Sequence, residues 1–186
     1  MISKSKPARA GGHFDRRRFL GGIATFSLAA LAAAEETPPD RRSLSFVHTH
    51  TGETLSTVYF QNGNYLAPSL EHVNHFLRDF RTNEVHSIDP GLLDILFDLQ
   101  AQTHRAGPFE VISGYRSPQT NAALRRQSGA VAEHSLHMQG RAIDVRLRGF
   151  PTAKLRDLAI ALHRGGVGFY EASDFVHVDT GRVRIW

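Results

Sequence analysis

Two short segments alternate apolar and polar residues, the pattern of strands whose one face lies on a hydrophobic core. In "AIDVRL", residues 142–147, the three large aliphatic side chains share one face, so Asp144 falls on the opposite face. In "FVHVD", residues 175–179, the two valines share one face, and His177 and Asp179 lie on the other. If the two strands pair, Asp144 and His177 come together on the polar side of a sheet.

Similar patterns divide the rest of the chain into helices and strands. Apolar side chains at three- and four-residue spacings predict helices, and β-branched and aromatic runs predict strands. Asp89 before Pro90 and Ser117 before Pro118 are predicted to cap two of the helices. The predicted helices cover 68–80, 89–104, 116–127 and 152–163, and the predicted strands cover a hairpin at 44–60 and residues 109–115, 142–147, 166–170, 175–179 and 183–186. We therefore expect a single α+β domain over 44–186, with a small antiparallel sheet flanked by helices.

The N-terminal segment is expected to be an export signal. Residues 1–34 carry +5 of formal charge, six Lys and Arg against one Asp, so the +4 of the whole chain leaves −1 for the rest. A near-neutral body argues against a nucleic-acid partner. The basic start, "RRFL" at 17–20 and a short apolar run ending in alanines at 32–34 resemble a twin-arginine signal peptide cleaved after Ala34. We expect a linker at 35–43, a periplasmic location and no stable membrane insertion after cleavage.

Metal binding by this chain would depend on histidines and carboxylates, because it contains no cysteine. In "AEHSLHMQGRAID", residues 132–144, His134 and His137 precede the strand of Asp144, and Gly140 lets the loop fold back over it. The residues alone leave two interpretations open. Either His137, Asp144 and His177 form a metal site with a free position for water, or they are hydrogen-bonded residues at a polar sheet edge.

Two other histidines offer an alternative metal pair. His48 and His50 stand two residues apart, which places both side chains on one face of a strand. The sequence around them, "HTGE" at 50–53, reads instead as a hairpin turn.

Three ordered motifs resemble the zinc D-Ala-D-Ala metallopeptidases, the LAS-type family. "SLHMQGRAID" matches their Ser-x-His-x-x-Gly-x-Ala-x-Asp signature, with "SGYRS" upstream and "FVHVD" downstream. The segments "HTGE", "LRDFRT" and "VDTGRVRIW" resemble the MepK-type murein endopeptidase branch of that family. The resemblance implies that His137, Asp144 and His177 ligate one Zn²⁺ per chain.

The resemblance also implies roles for three further residues. Arg116 matches the family arginine that binds substrate or steadies the charge on the tetrahedral oxygen. A carboxylate general base must take a proton from the attacking water, and Asp174 and Asp179 are the candidates. Strand alternation favours Asp179, which shares a face with His177. Asp174 stands three residues before His177, the position of the acidic residue in related dipeptidases, and we prefer it.

The function implied is hydrolysis of amide bonds in the peptide cross-links of peptidoglycan, between diaminopimelate residues. The expected binding partner is therefore the peptidoglycan stem peptide, while the existence of a regulatory protein partner is left open. Two alternatives remain at this point. One is a carboxypeptidase that removes terminal D-Ala, and the other is a non-catalytic peptidoglycan-binding module with the same fold.

Overall fold

The computed structural model describes residues 40–105, 107–128 and 131–186, which form one sheet of eight strands with four α-helices around it. The strands are β1 (Arg41–His48), β2 (Thr54–Gln61), β3 (Asn64–Tyr65), β4 (Phe109–Ser113), β5 (Ala142–Leu147), β6 (Gly166–Tyr170), β7 (Phe175–Asp179) and β8 (Arg184–Ile185). The helices are α1 (Ala67–Phe76), α2 (Pro90–Thr103), α3 (Pro118–Gln127) and α4 (Thr152–Leu162).

The order of strands across the sheet is β3-β2-β1-β4-β5-β7-β6-β8. Neighbouring strands are antiparallel except β1 with β4 and β6 with β8, which are parallel. The α+β class is thus confirmed, but the expectation of a small sheet is wrong. The N-terminal hairpin joins the same sheet through the β1–β4 pairing, and alternation within single strands cannot reveal which strands will join.

The boundaries of several elements differ from those expected. Strand β1 begins at Arg41, so the last three residues of the predicted linker 35–43 already belong to the sheet. Helix α1 ends at Phe76, four residues early, because the Leu77 carbonyl accepts a hydrogen bond from Tyr115 N (2.8 Å). The predicted signal peptide at 1–34 lies outside the described residues. Within the part that is described, no helix combines the length and apolarity needed to cross a bilayer.

The hydrophobic core lies on one face of the central strands. Ile143 and Val145 of β5 and Val176 and Val178 of β7 are almost fully buried there, in one cluster with the leucines of α2. Helix α2 begins as predicted, with the Asp89 side chain accepting from Gly91 N at 2.9 Å. Because successive strand residues point to opposite faces, this core forces the polar residues of β5 and β7 onto the other side of the sheet.

Candidate metal centre

Strands β5 and β7 are antiparallel neighbours, and their register places Asp144 directly opposite His177. The convergence predicted from alternation is therefore confirmed. Both side chains are buried, at 6% exposure each, although they lie on the polar face of the sheet. The core side of these strands is fully apolar, and it fixes their register. The pairing is therefore hard to shift, since a one-residue slip would expose the valines.

The third candidate ligand reaches the pair from a 3₁₀ turn, Leu136–Gln139, that precedes β5. Ser135 caps this turn by accepting from His137 N at 3.3 Å. Gly140 ends it with a left-handed φ of 64°, and a Cβ there would lie 2.0 Å from the Ser87 carbonyl oxygen. Only glycine permits this reversal, so Gly140 is what folds His137 over the strand of Asp144.

Three acceptor atoms meet at the centre of this arrangement. His137 Nε2 lies 3.2 Å from His177 Nδ1 and 3.3 Å from Asp144 Oδ1, and His177 Nδ1 lies 2.9 Å from that same oxygen. The other nitrogen of each ring is already used. His137 Nδ1 donates to the Gly114 carbonyl (2.7 Å), and His177 Nε2 donates to Asp179 Oδ2 (3.1 Å).

This hydrogen-bond pattern assigns the tautomers and thereby the chemistry of the cluster. Because a carbonyl and a carboxylate can only accept, both outer ring nitrogens carry a hydrogen, and in the neutral imidazoles both inner nitrogens present lone pairs. In these neutral tautomers, two lone pairs and a carboxylate oxygen face one another, and no hydrogen lies between them. A cation satisfies all three atoms at once, and the outward N–H bonds are those that orient metal-binding imidazoles. Within the described ranges, these residues form the one group of three whose ligand atoms could hold a metal ion.

Charge at the cluster agrees with this interpretation. Burial alone would raise the pKa of Asp144, but the two imidazoles outweigh it and hold that pKa well below its usual range. Burial lowers the pKa of His177, yet hydrogen bonds to Asp144 and Asp179 raise it overall. Two anionic groups around the imidazole therefore favour a positive charge at this position, which either a proton or a metal ion provides.

The cluster lines a cavity of about 570 Å³. Its lining residues include the three candidate ligands, His134, Arg116, Tyr170, Phe175, Arg184 and Trp186. Arg116 is the predicted substrate-binding residue, and its Nη2 lies 3.8 Å from Asp144 Oδ2. Burial lowers the pKa of this guanidinium, and its buried Nε has no hydrogen-bond partner in the structure. The cavity is thus lined by a cation beside the cluster, while the unpaired Nε of that cation is buried.

Known proteins resemble this chain over nearly its whole length. A family model described as peptidoglycan L,D-endopeptidase MepK matches residues 36–186. The MepK proteins of Escherichia coli K12 and Shigella flexneri are each 41% identical over 176 residues, which cover 92% of this chain and 97% of the relative. A probable MepK of Haemophilus influenzae is 42% identical over 170 residues, 90% of this chain and 91% of the relative.

The chain belongs to the MepK family. It is therefore an enzyme of a metallopeptidase family, as the sequence motifs imply. The matched range, residues 36–186, spans the segments that carry His137, Asp144, His177 and Arg116.

Asp179, one of the two residues expected as general base in this MepK family member, is fully buried. Its Oδ1 accepts from Gly166 N (3.0 Å), Gly181 N (2.8 Å) and Arg184 Nη1 (3.2 Å). Its Oδ2 accepts from His177 Nε2 and from Arg184 Nη2 (2.6 Å). These donors occupy its lone pairs and hold its pKa well below the usual range against the effect of burial. Asp179 is placed to orient His177, and it has no lone pair left for a proton from water.

The structure does not bring Asp174, the preferred candidate for the base, into the cavity. Its side chain is 62% exposed, and its carboxylate lies 3.4 Å from Arg146 Nη1. It lines a separate depression together with Glu110. Asp174 has a left-handed backbone, at φ 51°, immediately before β7 begins, so strand alternation does not govern it and the spacing to His177 does not determine its direction.

The alternative metal pair, His48 and His50, makes contacts typical of structural residues. His48 Nδ1 accepts from His50 N at 3.2 Å, and the His50 ring stacks on Phe80 at a centroid distance of 4.4 Å. The two imidazole centroids are 6.0 Å apart. Neither residue is part of a group of three metal donors among the residues described. The pair packs against aromatic rings instead of converging on a carboxylate.

Sequence reasoning missed two glycines that shape the site. A Cβ at Gly166 would lie 2.5 Å from Asp179 Oδ2, and one at Gly168 would lie 2.6 Å from the Trp186 ring. The glycines of "GVG" in β6 therefore leave room for a carboxylate and an indole directly on the strand. Glycine within a strand pattern is the available signal, because it often marks a close approach of other atoms to the backbone.

Proposed function

We propose that this protein is a zinc-dependent endopeptidase that hydrolyses amide bonds in the peptide cross-links of peptidoglycan. The observation that carries the proposal is the cluster of His137 Nε2, Asp144 Oδ1 and His177 Nδ1, three buried acceptor atoms within 3.3 Å of one another. The names of the relatives, peptidoglycan L,D-endopeptidases, support the substrate.

The donor set suits zinc. Two imidazole nitrogens and one carboxylate oxygen, with no thiolate in the chain, match catalytic sites that hold zinc through three protein ligands and leave a fourth position for water. Bound there, zinc would lower the pKa of that water towards neutrality and polarise the scissile carbonyl. We expect one ion per chain, held by His137, Asp144 and His177.

The surrounding residues have separate tasks in this proposal. The Gly114 carbonyl and Asp179 fix the two imidazoles, so the ligand nitrogens stay aimed at the centre of the cluster. Arg116, whose guanidinium lines the cavity, donates to a substrate oxygen, where a preorganised donor stabilises developing negative charge. His134, an exposed imidazole that lines the cavity, can accept the proton of the attacking water.

The cross-link proposed as substrate joins two diaminopimelate residues by an L,D amide bond. Stem peptides carry several carboxylates, and the cavity offers the guanidinium groups of Arg116 and Arg184 as partners for them. An exported enzyme would meet this substrate. We accordingly propose that residues 1–34 are a twin-arginine-type signal peptide and that the mature enzyme acts in the periplasm.

Digestion of purified muropeptides tests the proposal. The protein would be incubated with zinc and with cross-linked dimers of defined linkage, and the products separated by mass. We expect L,D-linked dimers to become monomers, EDTA to stop the reaction and zinc to restore it. Release of only a terminal D-Ala from monomers would indicate a carboxypeptidase instead. Binding of the dimers with no product at any zinc concentration would indicate a non-catalytic module.

A further inference from the structure

An indole lies on the bare backbone of Gly168, next to the candidate metal ligands. Trp186 is held there by backbone bonds to β6, with Trp186 N donating to the Val167 carbonyl (3.2 Å) and Phe169 N donating to the Trp186 carbonyl (3.1 Å). Its ring centroid is 5.1 Å from that of His177. The Arg184 guanidinium lies 4.8 Å from the centroid of the indole and bonds Asp179, so the position of Trp186 is tied to that of His177.

The indole makes one directed contact across this surface. Trp186 Nε1 donates a hydrogen bond to Tyr170 Oη at 3.1 Å. The ring of Tyr170 stacks on Phe175 at 4.6 Å between centroids, with 18° between the planes. Tyr170 is thus held both through its ring and through its oxygen. Neither the proposed zinc ligands nor the proposed contacts of Arg116 use this arrangement.

The contact with the indole determines what the hydroxyl can do. An indole N–H can only donate, so Tyr170 Oη is the acceptor, and the phenolic hydrogen remains available for another partner. In the hydrogen bonds of the described residues, Tyr170 Oη has no acceptor for that hydrogen. The hydroxyl is therefore a donor whose position is fixed before any ligand arrives.

The sheet places this donor on the side of the metal cluster. In the β6–β7 pairing, Tyr170 stands opposite Phe175 and Gly168 stands opposite His177. Residues two apart in a strand share a face, so Tyr170 lies on the same face as His177. Tyr170 lines the 570 Å³ cavity together with Asp144, His177 and Arg116.

We propose that Tyr170 is a further catalytic residue, whose hydroxyl donates a hydrogen bond to the carbonyl oxygen of the scissile amide as that carbon becomes tetrahedral. This inference rests on the proposed peptidase function. The attacking water bonds to the carbonyl carbon, and the π electrons move onto the oxygen that Tyr170 and Arg116 face. When the carbon–nitrogen bond breaks, those electrons re-form the carbonyl, and the leaving nitrogen takes up the proton that the water lost. Tyr170 keeps its proton throughout.

Preorganisation is what makes such a donor effective. A hydroxyl that is already oriented costs no reordering when charge develops on the substrate oxygen, and removing one donor of this kind typically costs about 10²-fold or more in kcat. A purely hydrophobic wall would need only the rings of Phe175, Tyr170 and Trp186. The hydrogen bond from the indole to the phenol additionally orients the oxygen.

Tyr170→Phe tests the proposal, since it keeps the ring stacked on Phe175 and removes the oxygen. We expect kcat on L,D-linked dimers to fall about 10²-fold with KM, zinc content and thermal unfolding unchanged. Affinity for a phosphinate analogue of the tetrahedral state should fall by the same factor, while affinity for the cleaved product peptide should not change. Tyr65→Phe is the matched control. It removes a hydroxyl that bonds Asp94 and does not line the cavity, so it should keep full activity.

A second variant tests whether the indole acts through the phenol. Trp186→Phe removes the N–H and should lower kcat in the wild-type background but add little to Tyr170→Phe. A Tyr170→Phe variant with unchanged kcat and unchanged phosphinate affinity, in an otherwise active enzyme, would overturn the role of Tyr170 alone. A rise in KM with kcat preserved would reduce Tyr170 to a substrate-binding residue and would also overturn it. A wild-type protein that cleaves no cross-link would end both this inference and the proposed function.

Discussion

Two buried carboxylates in this molecule look alike in burial and differ in what surrounds them. Asp94, on α2, accepts hydrogen bonds from Tyr59 Oη (3.0 Å), Tyr65 Oη (2.7 Å) and Arg42 Nη1 (2.9 Å). Asp144, on β5, instead meets the lone pairs of His137 and His177, in addition to a distant guanidinium. The Asp94 cluster contains every donor that its carboxylate needs, while the Asp144 cluster contains an excess of acceptors.

The difference separates a structural cluster from a functional one. A buried charge with its own donors and counter-charge is closed, so it stabilises the link between α2 and the N-terminal hairpin and binds nothing further. A group of converging acceptors is open until a cation completes it. Burial and residue type are similar in the two clusters, so hydrogen-bond satisfaction is the property that distinguishes them.

The largest effect is expected from exchanging one carboxylate for an amide in each cluster. Asp144→Asn places N–H hydrogens or a neutral oxygen where a cation is to bind. It should lower zinc content and reduce peptidase activity by about 10³-fold or more. Asp94→Asn is the matched control and should retain both zinc and kcat. Metal analysis and dimer cleavage measure the outcome, and equal zinc content in the two variants would contradict the distinction.

A smaller effect is expected from the residue that orients His177. Asp179→Asn replaces an acceptor of five hydrogen bonds with a side chain that cannot accept all of them. Zinc affinity should fall about 10–100-fold, the usual cost of losing a partner of a metal-binding imidazole. Competition with a chelator of known affinity measures it. Unchanged affinity would mean that Arg184 and the strand register suffice to hold the ring.

A substitution in the closed cluster of Asp94 should lower the stability of the protein and leave catalysis unchanged. Asp94→Asn replaces one carboxylate oxygen with an NH₂ group, which faces either Tyr65 Oη or the pair of Tyr59 Oη and Arg42 Nη1, and it removes the charge that faces Arg42. We expect the free energy of unfolding to fall by about 1–3 kcal/mol. Denaturant titration of the metal-free protein isolates this effect. A variant as stable as wild type would show that the Asp94 cluster is not structural.

The smallest effect is expected at Asp174. Its contact with Arg146 is exposed, and such pairs contribute about 0–1 kcal/mol. Asp174→Asn should therefore change kcat/KM less than twofold and leave zinc content unchanged. A loss of most activity with zinc retained would restore the general-base role that the spacing to His177 suggests, and it would require Asp174 to move into the cavity when substrate binds.

Several parts of the fold and site follow from local rules. Alternation in "AIDVRL" and "FVHVD" predicts the faces of Asp144 and His177, and capping chemistry predicts the start of α2 at Asp89. The number of strands in the sheet and the early end of α1 do not follow from local rules. Both depend on pairings between distant segments, β1 with β4 and Leu77 with Tyr115, which the local pattern does not encode.

The amino-acid sequence by itself determined which side chains face away from the core and that no thiolate is available, and its motifs indicated the ligand set of His137, Asp144 and His177. Only the tertiary structure decided which polar residues acquire a role beyond this. Strand alternation favours Asp179 as the base and the spacing to His177 favours Asp174, yet five hydrogen bonds hold Asp179 beneath His177 while a left-handed backbone turns Asp174 to Arg146. The indole on Gly168 and its bond to Tyr170 also arise there, because hydrogen-bond satisfaction depends on atoms that meet in space from distant parts of the chain.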